Sequence, residues 1–282
     1  AVGPDGYFSP QQLYPLITSP DLKSPNQGAD YLVIGPEIFF DPLQPLLDHH
    51  QNQGLKSQCV PIEAVFDQFG NGFPRPMAIR NFLQYAVQSW DSPPRYVLLV
   101  GDATYDPKGY QNATEGHSVP TYPITTSHGG ITGSDLPLAQ LDDNTLEDPW
   151  PDIALGRVPA QTPQQVQTFV KKTLAHQQSS AENMLNLEIF AIADGLESMF
   201  KTDAQSFLNH FPDNYATSLL NPATGNSDTA SQIQAKLDEG VFLVAYFGHG
   251  SLTMWGKDKL FTIEDVAQLN NNVHLPVIFN FT

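Results

Sequence analysis

Val241-Phe242-Leu243-Val244-Ala245-Tyr246-Phe247 followed by Gly248-His249-Gly250, and later Leu275-Pro276-Val277-Ile278-Phe279-Asn280-Phe281-Thr282, are the two stretches that decide the fold. Each apolar run reads as a strand. Between them Thr262 and Asp265 have the spacing of a capping-box helix start, and Val266 and Leu269 mark that helix's inner face. Strand, helix, strand at this spacing predicts a right-handed βαβ unit with parallel, neighbouring strands. Their carboxyl ends then share one sheet edge, where open α/β folds bind ligands. His249 leaves the first strand at that edge and Thr282 stands at the exit of the second, on strands ~4.8 Å apart. A side chain just past Thr282 is therefore expected within a residue or two of the imidazole. Gly248 and Gly250 let backbone and substrate approach closely, and the Gly250 amide is a candidate oxyanion donor.

Upstream, the same alternation recurs. Tyr31-Leu32-Val33-Ile34-Gly35, the strand around Cys59, Tyr96-Val97-Leu98-Leu99-Val100-Gly101, Ile153 to Arg157 and Leu187 to Ala193 read as strands. Helical stripes lie between them at Leu43, Leu46, Leu47 and His50, at Ile79, Phe82, Leu83, Ala86 and Val87, and at Val166, Phe169, Val170 and Leu174. Thr162 caps that last helix, with Pro163 at its first position. Continuous apolar strands alternating with amphipathic helices predict an α/β fold with mainly parallel sheets. The domain reading is residues 1–30 as a leading linker or the edge of an upstream domain, 31–160 as a first α/β subdomain, and 161–282 as a second. Residues 102–150 read as a long polar, acidic loop, a length more often functional than idle.

Composition narrows the classes. Thirty acidic against 13 basic residues give a net charge of −17, which argues against nucleic acid as a partner and suits a soluble or cation-binding protein. No stretch reaches the ~20 apolar residues of a membrane span, and no signal peptide is visible at Ala1. Lone Cys59 lies in a strand with no adjoining base and reads as a small buried residue. No P-loop or dinucleotide glycine fingerprint occurs, and His49 and His50 lack metal-ligand spacing. A lone His-Gly pair is a weak motif, and a hydrogen-bonded turn histidine is its commoner meaning.

Several motifs together say more. Tyr246-Phe247-Gly248-His249-Gly250-Ser251, Trp255, Leu269 and Leu275-Pro276-Val277-Ile278-Phe279 resemble the core of the gingipain-type cysteine peptidases (clan CD, family C25). The resemblance extends through Tyr96 to Asp102, Ser134-Asp135, Asp142-Asp143 and Asp152-Ile153-Ala154-Leu155-Gly156-Arg157-Val158-Pro159-Ala160, covering most of the chain. It implies a caspase-like, three-layer αβα fold in two subdomains, truncated here at its C-terminal end. It implies a secreted or cell-surface bacterial cysteine endopeptidase acting through a thioester, with His249 as general base and the nucleophilic cysteine immediately after Thr282. The 1–282 chain alone is then expected to be inactive, the remainder lying in a C-terminal part of the same protein. Asp152 is implied as the acid orienting His249, and Phe247, Gly248 and Phe281 as the lining of the substrate pocket. The neutral Pro163, Gln164 and Gln165 and the bulky Phe residues depart from Arg-selective members. No cofactor is implied for the chemistry. Structural calcium is implied through acidic loops, with Asp102, Asp135, Asp142 and Asp143 as candidate ligands and Asp106, Asp194 and Glu197 as further oxygens. Substrates are expected to be proteins or peptides. A sortase-like transpeptidase passes through the same thioester, and a non-catalytic surface or scaffold domain would keep the fold without the nucleophile.

Overall fold

Short apolar runs become the inner strands of two separate parallel sheets. The computed structural model describes residues 20–104, 118–126, 130–142, 149–181, 186–223, 228–271 and 274–282. The chain divides into two units, residues 1–167 and 168–282.

The first unit contains β1 (Tyr31–Gly35), α1 (Phe40–Asn52), β2 (Ser57–Pro61), α2 (Ile62–Phe69), α3 (Pro76–Ser89), β3 (Tyr96–Val100), β4 (Tyr122–Thr126), β5 (Gly130–Ser134), α4 (Leu136–Ala139) and β6 (Ala154–Val158), after which α5 (Pro163–Ala181) carries the chain onward. The sheet order is β2-β1-β3-β6, all parallel. The chain steps from β1 to β2 in one direction and back past β1 to β3 in the other. Right-handed crossovers therefore put α1 on one face and α2 with α3 on the opposite face. Leu32, Ile34, Val60, Ile79, Phe82 and Leu83 form the core under α2 and α3. Residues 20–30 pack onto this core. Leu22 is fully buried in it, and its carbonyl accepts from Trp90 Nε1 at 3.0 Å. The expected long loop also holds structure, since β4 and β5 pair as an antiparallel hairpin.

The second unit contains β7 (Asn186–Ala193), α6 (Ser198–Leu208), β8 (Ala216–Leu220), α7 (Thr229–Glu239), β9 (Val241–Phe247), a hairpin of β10 (Met254–Trp255) and β11 (Phe261–Thr262), α8 (Ile263–Val266) and β12 (Val277–Phe281). The order is β12-β9-β7-β8, again all parallel. Side-chain alternation splits the core in two. Ile189, Ala191, Ala193, Leu243, Ala245 and Phe247 meet α6, whereas Phe190, Ile192, Val244 and Tyr246 meet α7. This is a three-layer αβα sandwich. The parallel, adjacent pairing of β9 and β12 matches the expectation, with Phe281 opposite Phe247. The capping box also forms, Thr262 Oγ1 accepting from Asp265 N at 3.3 Å and Asp265 Oδ2 from Thr262 N at 2.8 Å. Its helix is a single turn, however, and Val266 is exposed rather than inward.

Candidate active site

Three neighbouring strands of the second sheet end side by side. Register pairs Ala193 with Phe247 and Phe247 with Phe281, so Asp194, Gly248-His249 and Thr282 emerge next to one another at the carboxyl edge. Hydrogen bonds across these exits hold the arrangement. Asp194 N donates to Phe247 O at 2.8 Å and Gly248 N to Phe281 O at 3.1 Å. The His249 carbonyl accepts from Gly256 N at 2.7 Å and from the Tyr246 hydroxyl at 2.7 Å. Tyr246 is itself fully buried and stacked on Trp255 at 4.7 Å. Burial, followed by the nearby Asp194 charge, pushes its phenol well above the usual tyrosine range.

The His249 imidazole meets two carboxylates. Nδ1 lies 3.0 Å from Asp194 Oδ2, and Nε2 lies 3.4 Å from Glu197 Oε1. Asp194 is 2% exposed. Besides the ring, its Oδ1 accepts from Leu196 N at 3.1 Å and its Oδ2 from His249 N at 3.4 Å. A buried carboxylate with these partners is an acceptor, which assigns the proton to Nδ1 and leaves Nε2 to exchange protons. Phe200 closes one side of the ring edge-on at 5.2 Å.

Gly250 sits opposite Trp255 in an antiparallel bridge whose bonds run between the flanking residues, Gly256 N to His249 O and Ser251 N to Met254 O. Its own N–H therefore has no partner among the described residues. A Cβ at Gly250 would lie 3.0 Å from Thr282 Cγ2, so this free N–H borders the exit of β12.

The other expected site residues are distributed as follows. The acid on His249 Nδ1 is Asp194, and Asp152 is engaged within the first unit. There its Oδ2 accepts from Leu141 N at 2.6 Å and Asp142 N at 3.3 Å, a loop-bracing role. Phe247 does not line an open pocket: it is 7% exposed, packed under α6 against Phe207 and stacked on Phe281 at 4.6 Å. Phe281 remains accessible at 46%.

Among the described residues, the acids expected for calcium have other partners. Asp135 is clamped by Arg157, Nε to Oδ2 at 2.6 Å and Nη2 to Oδ1 at 2.8 Å, and also accepts from Thr121 Oγ1 at 2.8 Å. Burial opposes its ionisation, but the Arg157 hydrogen bonds and charge and the Thr121 hydroxyl hold it below the usual carboxylate range. Asp102 accepts from Ala103 N and Gln161 Nε2. Asp106 and Asp143 lie outside the described residues. Asp194 and Glu197 face His249 instead. Among the described residues no group of three or more His, Cys, Asp or Glu side chains could hold a metal, and no helix is long and apolar enough to cross a membrane.

A groove of about 810 Å³ opens on the α7 side of the same sheet, between the hairpin and β12, and is lined by Leu252, Trp255, Ile263, Val277 and Ile278 among others. Asp194, His249 and Gly250 are not in its lining.

The family model for Peptidase family C25 matches residues 24–282. Gingipain R2 of Porphyromonas gingivalis is 22% identical over 258 residues, covering 88% of this chain and 31% of that protein. Gingipain R1 of the same organism is 22% identical over 263 residues, 90% of this chain and 24% of that protein. The chain thus spans less than a third of the length of these relatives. A solved structure described as a protease superposes with a TM-score of 0.64 at 17% identity, over 89% of this chain and 51% of that one. What it shares is the fold.

Proposed function

The chain belongs to peptidase family C25, and from that premise we propose that the parent protein is a cysteine endopeptidase whose nucleophile directly follows Thr282. The observation that carries this reading is the alignment of strand exits. The paired ends of β9 and β12 set His249 and its free-amide neighbour Gly250 beside Thr282. This supports a reading in which the nucleophile meets His249 as general base and the Gly250 N–H as oxyanion donor.

In the proposed reaction His249 Nε2 takes the thiol proton while Nδ1–H stays on Asp194, whose charge stabilises the imidazolium. The thiolate adds to the peptide carbonyl carbon, and the Gly250 N–H supports the resulting oxyanion. Collapse breaks the C–N bond as His249 returns its proton to the departing amine, leaving a thioester. Water, deprotonated by His249, then attacks the thioester and releases the acid and the thiol. Phe281 is the accessible aromatic wall for the substrate side chain. The substrates are proteins or peptides met outside the cytoplasm of a bacterium.

Cys59 does not substitute for this nucleophile. Burial pushes its thiol up to about 11, so little thiolate forms near neutral pH. The 1–282 chain alone is accordingly expected to lack peptidase activity. The test is labelling of the parent protein with a thiol-reactive peptidyl inhibitor, followed by peptide mapping. The expected adduct lies on a cysteine next to Thr282 and disappears in His249→Ala. An adduct on Cys59 that persists in that variant would overturn the assignment.

A further inference from the structure

Glu197 is the one polar group at the site that the proposed reaction leaves unused. It occupies the N-cap position of α6 with extended backbone (φ −128°, ψ 131°), yet its side chain makes no cap hydrogen bond. N-cap positions favour Ser, Thr, Asp or Asn, whose short side chains reach back to the helix N–H groups. Helix formation thus does not explain a glutamate here. The longer side chain instead reaches 3.4 Å from His249 Nε2.

That nitrogen has a single in-plane direction for either a lone pair or an N–H. Glu197 Oε1, 3.4 Å from that nitrogen, stands in the space from which a thiol would approach it. The ring thus stands between two carboxylates, one at each nitrogen. The groups facing the ring are Asp194 from the end of β7, Glu197 from the turn before α6 and the uncharged Phe200 ring from α6, with the Tyr246 hydroxyl on the His249 carbonyl. The two acids differ in kind. Asp194 is buried and fixed, whereas the Glu197 side chain is 52% exposed and on a turn.

We propose that Glu197 is a displaceable cap on the general base: it holds the proton-exchanging nitrogen closed at rest and swings to solvent when the nucleophile and substrate engage. The catalytic consequence rests on the peptidase reading, but the cap itself does not. A half-exposed ion pair of this sort is weak, so opening it slows the site by no more than about two- to five-fold.

The experiment compares the parent protein with Glu197→Ala and Glu197→Ser, the serine variant supplying a proper helix cap so that the fold is retained. Diethyl pyrocarbonate acylates unprotonated, accessible imidazole nitrogen, and its rate at His249 is read by peptide mass mapping against exposed His210 as internal reference. The cap predicts a two- to five-fold faster modification of His249 in both variants, with His210 unchanged. An unchanged or slower rate at His249 overturns it, whether or not the protein proves to be a peptidase. In the activity arm, kcat/KM is expected to rise by a similar factor. A tenfold fall with folding intact would make Glu197 a participant in catalysis and would also overturn the cap.

Discussion

Gly248→Ala is the sharpest perturbation of this site, because one methyl group would strike both residues that hold His249. A Cβ at Gly248 would lie 2.4 Å from Asp194 Cβ, 2.5 Å from Tyr246 Oη and 2.8 Å from Tyr246 Cζ. Carbon atoms in contact sit ~3.5–4.0 Å apart, so both neighbours must retreat by about 1 Å. Neither is a loose end. Asp194 is tied to Phe247 through its backbone N–H, and the Tyr246 ring is sandwiched in the core against Trp255. Overpacking of this kind costs about 1–3 kcal/mol, and losing the Tyr246 hydroxyl bond to the His249 carbonyl adds about 1 kcal/mol. A loss of about 2–4 kcal/mol lowers the melting temperature by roughly 5–15 °C. A 1 Å displacement of the base lowers kcat/KM by about 100-fold. Gly250→Ala is the comparison, since its Cβ would meet only the Thr282 side chain, at 3.0 Å from Cγ2. That group can give by a few tenths of an ångström, so the stability cost stays below about 1 kcal/mol. Thermal unfolding and peptide hydrolysis by the parent protein measure both. The reasoning fails if Gly248→Ala melts within about 2 °C of the parent protein and keeps its activity, or if Gly250→Ala is the more destabilised of the two.

Two further predictions concern the acids. Asp194→Asn keeps the shape but removes the charge that stabilises the His249 imidazolium, so kcat/KM is expected to fall by about 10²–10⁴ with KM little changed. A loss under tenfold in steady-state kinetics would place the orienting role elsewhere. In the first unit, the Asp135 carboxyl is held below its ordinary value, so its stabilisation is fully present above the unfolded value of about 3.9 and is lost as pH falls through the lower folded value. Asp135→Asn should cost about 2–4 kcal/mol at neutral pH by leaving the Arg157 charge unpaired, and should flatten the acid decline below about pH 4. Denaturant titrations at neutral and acid pH would contradict this if the variant and the parent protein declined in parallel.

What could be read before the structure was the part encoded by local pattern. The run at Val241–Phe247 is continuous and apolar because that strand is covered on both faces, the apolar run at Val277–Phe281 pairs beside it as an exposed edge strand, and the intervening cap signal at Thr262 announces the crossover. The hairpin of β4 and β5 gave no such signal. Its residues lie mostly at the surface, one strand contains Pro123 and the other Gly130 and Gly133, so no apolar alternation marks it. In residues 20–30 Pro, Ser and Gln dominate the composition, so nothing local announces that Leu22 and Ala29 are fully buried.

Asp194 shows where local pattern stops. His249 and Gly250 follow β9 directly, so reading that strand is enough to find them. Asp194 follows β7, 55 residues earlier, and nothing in its own neighbourhood says that β7 lies beside β9. Only the strand order does, and strand order comes from long-range pairing. With β7 placed between β8 and β9, Asp194 necessarily opens at the same edge as His249, and Glu197 follows it at the start of α6. The site is thus made by the sheet more than by its loops. Gly248 N–H on the Phe281 carbonyl ties the base to β12, and Asp194 N–H on the Phe247 carbonyl ties the acid to β9. Asp194, His249 and the end of β12 cannot shift independently without breaking a strand-to-strand hydrogen bond, so their relative geometry is already set by the pairing of three parallel strands.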